Sequence, residues 1–115
     1  MREAATSAGI VRRVQSGDLE IALLSPTGSL HTGRNAFTFE FQRGGKLIDV
    51  GTVRATGNMP MPGMVMSSGM EVRPSGVTGR YDGSAEFGMA GAWQMSVEWD
   101  GPAGKGSASF EGPVQ

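Results

Sequence analysis

The sequence predicts an all-β fold, an immunoglobulin-like antiparallel β-sandwich of about seven short strands. Three features carry this expectation. Apolar and polar residues alternate with period two wherever aromatic residues gather. Nineteen glycines and six prolines in 115 residues cut the chain into runs too short for long helices. The longest run free of both, Arg34–Arg43, itself alternates with period two and not with the helical period. The Cys…Trp…Cys pattern of immunoglobulins is missing, so the expectation concerns architecture and not kinship with antibodies.

Residues 1–16 read as a mobile N-terminal lead, or as a remnant of trimming, in which Ile10, Val11 and Val14 can add a short edge strand. A single domain is expected over residues 17–115. Its first strand spans 18–25 and sets Leu19, Ile21 and Leu23 on one face before Pro26-Thr27-Gly28 ends it. The clearest strand is 35–43, with Phe37, Phe39 and Phe41 on one side and Thr38, Glu40 and Gln42 on the other. Gly44-Gly45 turns the chain into a third strand over 46–56, carrying Leu47, Ile48, Val50 and Val53, which Gly57, Pro60 and Pro62 interrupt. Further strands are expected over 64–73, over 78–88 around Tyr81 and Phe87, over 92–99, and over 106–111 with Phe110. In the stretch 92–99, Trp93, Met95, Val97 and Trp99 alternate with Gln94, Ser96 and Glu98, while Gly88–Gly91 reads as a bend and Gly101–Gly104 as a loop. Phe37, Phe39, Phe41, Trp93, Val97 and Trp99 are expected to make most of the core, with Met89 and Met95 also inside.

Ten basic and eleven acidic residues give a formal net charge of −1, which leaves no basic surplus to neutralise phosphates and argues against nucleic acid as a partner. No apolar run approaches the roughly 20 residues of a membrane helix, so the chain is not expected to span a membrane by a helix. There is no cysteine, and His31 is the single histidine. Disulfides, thiolate zinc sites, thiolate-held iron–sulfur clusters, a cysteine nucleophile and a multi-histidine metal centre are therefore excluded. No nucleophile elbow, phosphate loop or dinucleotide fingerprint occurs, and Asp49, Asp82 and Asp100 lack calcium-loop spacing. Nothing marks a serine as a partner for His31, and the protein is not expected to be an enzyme.

Methionine is the conspicuous residue: eight in all, five of them between positions 59 and 70. In Asn58-Met59-Pro60-Met61-Pro62-Gly63-Met64-Val65-Met66, Pro62-Gly63 suits the centre of a type II turn, since proline presets φ and glycine accepts φ > 0. An antiparallel hairpin about that turn sets 61 opposite 64 and 59 opposite 66, so Met59, Met61, Met64 and Met66 share one face. Thioethers are soft, neutral ligands that suit Cu(I) and, by the same softness, Ag(I), and that bind Mg²⁺ or Ca²⁺ poorly. They also stay ligands in acid, where thiolates and imidazoles compete with protons. The four methionines are thus the candidate metal ligands. Met70 shares their parity as a possible fifth, and His31, in the Gly28–Gly33 loop and expected to be exposed, can add a nitrogen only where that loop lies near the hairpin. Against this stands a plainer use of the same residues, as adaptable apolar packing or a contact patch for a partner.

The absence of cysteine fits an oxidising compartment. The N-terminus lacks the apolar core of a signal peptide, so an exported protein is expected here with its signal segment removed. The order Leu19–Pro26, Gly33-Arg34-Asn35, Met59–Met66, Gly79-Arg80-Tyr81 and Phe87-Gly88-Met89-Ala90-Gly91-Ala92-Trp93 resembles the YtkA-like domain over residues 18–112. The resemblance implies a small β-sandwich of a bacterial exported protein, of a kind found alone or attached to periplasmic adaptors of heavy-metal efflux pumps. It carries over no catalytic residue. The function expected is therefore a periplasmic module that binds Cu(I) or Ag(I) and passes it to an efflux or maturation partner. The alternative is a non-catalytic interaction module whose methionine hairpin is an apolar contact patch.

Overall fold

Alternating apolar residues and closely spaced turns leave little choice but strands, and strands are what the computed structural model contains over the residues it describes, 9–102 and 104–115. At positions 61, 65 and 66 the description is of the backbone alone. Among the described residues there are nine strands and no helix: β1 (Gly9–Ser16), β2 (Leu19–Ser25), β3 (Gly33–Arg43), β4 (Lys46–Leu47), β5 (Thr52–Met61), β6 (Met64–Pro74), β7 (Arg80–Phe87), β8 (Gly91–Gly101) and β9 (Gly104–Val114). No helix is long and apolar enough to cross a membrane.

Every ladder is antiparallel, and the spatial order is β1-β2-β3-β7-β6-β5-β8-β9, with β4 lying against β3. The sandwich is nearly a closed barrel because β6 belongs to both of its sheets. Met64–Met70 pair with β5, Met70–Pro74 pair with β7, and Met70 alone is shared, opposite Ala55 and Ala85. At the other edge β1 and β9 run side by side without a hydrogen-bonded ladder among the described residues. One end of that seam is closed by a parallel bridge between Leu30 and Val114, where Thr32 N–H donates to the Gln115 carbonyl at 3.0 Å and Gln115 N–H to that of Leu30 at 2.9 Å.

Three departures from the sequence reading have local causes. Residues 9–16, expected within a lead, form β1 and pair with β2 from Gly9↔Ser25 to Ser16↔Leu19. This is the edge strand through Ile10, Val11 and Val14, and the rest of the expected lead lies outside the described residues. The single third strand over 46–56 is instead two, β4 and β5. Between them the Asp49 carboxylate accepts the Gly51 N–H at 2.8 Å, an aspartate turn that lets Val50 plug the interior at 1% exposure. Gly51 adopts φ +86°, and its Cα faces the Asp100–Gly101 backbone so closely that a methyl there would strike the Asp100 carbonyl oxygen. Finally, Gly57 and Pro60 do not end β5. Gly57 is an inward position whose missing side chain leaves room for the Met70 methyl, Trp93 and Phe87, and Pro60 lies past the last β5–β8 pair, Asn58↔Gln94.

The core is the inward parity of these strands, with Phe39, Phe41, Trp93 and Val97 fully buried and Phe37 and Trp99 at 4% and 8% exposure. Edge-to-face pairs tie the two halves together, Phe41 meeting Trp99 at 5.5 Å and Phe87 meeting Trp93 at 5.0 Å, while Phe41 also meets Tyr81 of the neighbouring strand β7 at 5.5 Å. Met95 is buried as expected, whereas Met89 is 37% exposed. The bend after β7 lifts Met89 off the sheet, and Trp93 fills the space beneath, its Nε1–H donating to the Met89 carbonyl at 3.0 Å.

Tyr81 fastens the 48–51 loop to β7. Its hydroxyl donates to the Gly51 carbonyl at 2.9 Å and lies 3.3 Å from Asp49 Oδ1. Burial, reinforced by the Asp49 charge, raises the phenol above its ordinary 10.0. A raised folded pKa means the folded chain holds this proton more tightly, so the contribution is intact below the ordinary value and is lost as pH rises through the folded one. Stability measured by urea unfolding is expected to fall as the pH passes about 10. Tyr81→Phe should remove that part of the fall and cost about 1 kcal/mol at neutral pH. An unchanged alkaline profile in the variant would show that Tyr81 is not its source.

Candidate metal centre

Hard and borderline cations have no evident home. No group of three or more His, Cys, Asp or Glu able to hold a metal occurs among the described residues. A groove of about 660 Å³ on the outer face of β5, β8 and β9 is open and of mixed charge, lined by Arg54, Glu98, Asp100 and Lys105. Soft donors, in contrast, gather at one end of the molecule.

The β5–β6 hairpin builds that end. Pro62 and Gly63 form the turn, and Gly63 has φ +81°, the value a type II turn demands at its second central residue. The register on either side is Met61↔Met64, Pro60↔Val65 and Met59↔Met66, the pairing inferred from Pro62-Gly63. Directly opposed residues have Cβ atoms about 4.5–5.5 Å apart, so each methionine faces another across the ladder. The β5–β8 ladder stops at Asn58↔Gln94, so the stretch from Met59 to Met66 has no ladder to β8, although Gly91–Trp93 continue alongside it and Met59 contacts Gly91.

Met64 is 52% exposed at the tip. Met59 is half-buried against the core, and its Sδ rests over Gly91 at the start of β8, where a methyl built on that glycine would sit 2.9 Å from it. The side chains of Met61 and Met66 lie outside the described residues. Met70 shares the interior parity but is committed to packing, its Cε lying over Gly57 beside Trp93 and Phe87.

His31 is exposed, and its loop belongs to the same end of the sandwich. A lateral row connects them: Leu30 bridges Val114, Val114 pairs with Gly91, and Gly91 carries the Met59 thioether. Asn35, buried at 5% exposure, holds this loop. Its Oδ1 accepts the His31 N–H at 3.1 Å, and its Nδ2 donates to the carbonyls of His31 at 2.7 Å and Gly33 at 3.0 Å. The His31 Nδ1 lies 2.9 Å from the Thr32 carbonyl. Sequence reasoning missed the exposure of Met89, which stands on the Gly88–Ala90 bend at this same end. The glycines flanking it, Gly88 and Gly91, were the available signal that the residue leaves the sheet.

The molecule is thus an antiparallel β-sandwich with a methionine hairpin projecting from one end. The YtkA-like family model matches residues 13–98, from β1 to β8, and the chain belongs to that family. Among solved structures it is similar to as-isolated FetP of uropathogenic E. coli strain F11, expressed recombinantly in the periplasm of E. coli BL21(DE3). The similarity covers 92% of this chain and 93% of that one, with a TM-score of 0.51 and 15% identity, a likeness of fold alone. No curated protein matches.

Proposed function

We propose that this protein is a non-catalytic, extracytoplasmic module that binds Cu(I) or Ag(I) through Met59, Met61, Met64 and Met66 and hands the ion to a partner. The observation that carries the reading is the hairpin register, which pairs Met59 with Met66 and Met61 with Met64 beyond the end of the β5–β8 ladder. Four neutral sulfurs in two facing pairs make a soft donor set, and soft donors select monovalent coinage ions over Mg²⁺, Ca²⁺ or Mn²⁺. Met64 exposed beside the turn suits transfer, because an incoming ligand from a partner can displace that thioether first. The partner class is a heavy-metal efflux adaptor or another periplasmic protein. Family membership and a fold neighbour produced in the periplasm support the compartment.

Titration with Ag(I) in chloride-free buffer tests the reading. A saturable rise in melting temperature is expected, complete near one equivalent, with no rise from Mg²⁺ or Ca²⁺. Affinity should stay level on acidification from about pH 7 to pH 5, since thioethers bind no proton in that range. Absence of any Ag(I)-dependent shift would reject metal binding. It would favour the second reading, an apolar contact patch, for which the exposure of Ile10, Met64 and Met89 at this end speaks.

A further inference from the structure

We infer that Met89, on the bend between β7 and β8, is an additional thioether ligand, so that the site is two-sided and joins the hairpin to the body of the sandwich. This rests on the soft-metal reading of the hairpin. Three observations carry it. Met89 and Met64 are two of the four large apolar side chains exposed among the described residues, at 37% and 52%. Met89 lies two residues before Gly91, the glycine over which Met59 Sδ is seated. Two residues of chain span at most about 7 Å, and a methionine side chain has three rotatable bonds, so the thioethers of Met59 and Met89 can meet by rotamer changes alone.

The backbone under Met89 is already fixed. The Trp93 Nε1–H donates to the Met89 carbonyl at 3.0 Å, and Trp93 itself is fully buried. Met89 therefore has an anchored main chain and a free thioether, the arrangement of a ligand whose ordering cost is partly met before the ion arrives. Gly91 completes the fit. A side chain there would crowd the Met59 thioether from its seat, a Cβ standing 2.9 Å from the sulfur. With Met59 from β5 and Met89 from the β7–β8 bend on the same ion, coordination ties the hairpin tip to the start of β8, where the β5–β8 ladder no longer does.

Protein carrying ¹³C-labelled methionine methyls, assigned through single Met→Leu variants and titrated with silver nitrate, tests this. The methyls of Met59, Met64 and Met89 are expected to shift together up to one equivalent, while that of buried Met95 stays in place. Met89→Leu should weaken Ag(I) binding about tenfold or more without lowering the melting temperature of the metal-free protein. A stationary Met89 methyl and an unaltered affinity in Met89→Leu, with the hairpin methyls shifting, would overturn this inference and leave the hairpin site standing. If no methyl moves, the hairpin reading fails and the inference falls with it.

Discussion

Replacing Met59, Met61, Met64 and Met66 together by leucine is expected to weaken Ag(I) and Cu(I) binding by more than about 100-fold while the protein stays folded. Leucine keeps roughly the volume and apolarity of methionine but has no lone pair, so the exchange removes donors and little else. Met-to-Leu swaps in packed sites usually cost less than about 1.5 kcal/mol, and of these four Met59 packs against the core and Met64 is exposed. The turn is untouched, since Pro62 and Gly63 remain. Isothermal titration with Ag(I), or competition with a Cu(I) chelator under reducing conditions, reads the affinity, and urea unfolding reads the fold. Binding at the wild-type strength by a folded variant would show that these sulfurs are not the ligands. Partner capture that persists in the variant without metal would place the hairpin among apolar contact surfaces instead.

The second large effect concerns stability. Trp93→Ala is expected to cost about 3–5 kcal/mol, a large share of the roughly 5–15 kcal/mol that hold an ordinary domain. Trp93 is fully buried, stacks edge-to-face on Phe87 at 5.0 Å, lies beside the Met70 methyl over Gly57, and donates its indole N–H to the Met89 carbonyl. Its loss opens a cavity between the two sheets and frees the bend that presents Met89. Trp93→Phe separates the two roles. It refills part of the volume but cannot donate to Met89, so it should recover part of the stability while amide exchange in the 88–91 bend stays faster than in the wild type. Equal bend protection in Trp93→Phe and wild type would show that the indole hydrogen bond does not hold the bend.

Both effects rest on features that differ in how visible they are along the chain. The alternation of Phe37, Phe39 and Phe41, and of Trp93, Met95, Val97 and Trp99, is legible because a two-residue period with one buried face admits few other structures. The hairpin pairing is legible for a related reason: a Pro-Gly turn fixes register locally. The break at 48–51 is legible only in part: Val50 and Val53 are three residues apart and cannot both face inward on one continuous strand, but the turn itself depends on Asp49 and on a glycine contact with residues about half the chain away. The division of β6 between β5 and β7 is hidden, because nothing local to Met70 announces a change of neighbour. Met89 reads as interior from its apolar character alone, whereas the bend between Gly88 and Gly91 leaves it exposed with its carbonyl tied to Trp93.

Beyond Asn58 and Gln94 no ladder ties the tip of the β5–β6 hairpin to β8, and its rungs from Met59↔Met66 to Met61↔Met64 hold only to each other. The energetic penalty of opening the tip is therefore set by a few rungs of ladder and not by the domain as a whole. Local breathing at this end is decoupled from global unfolding.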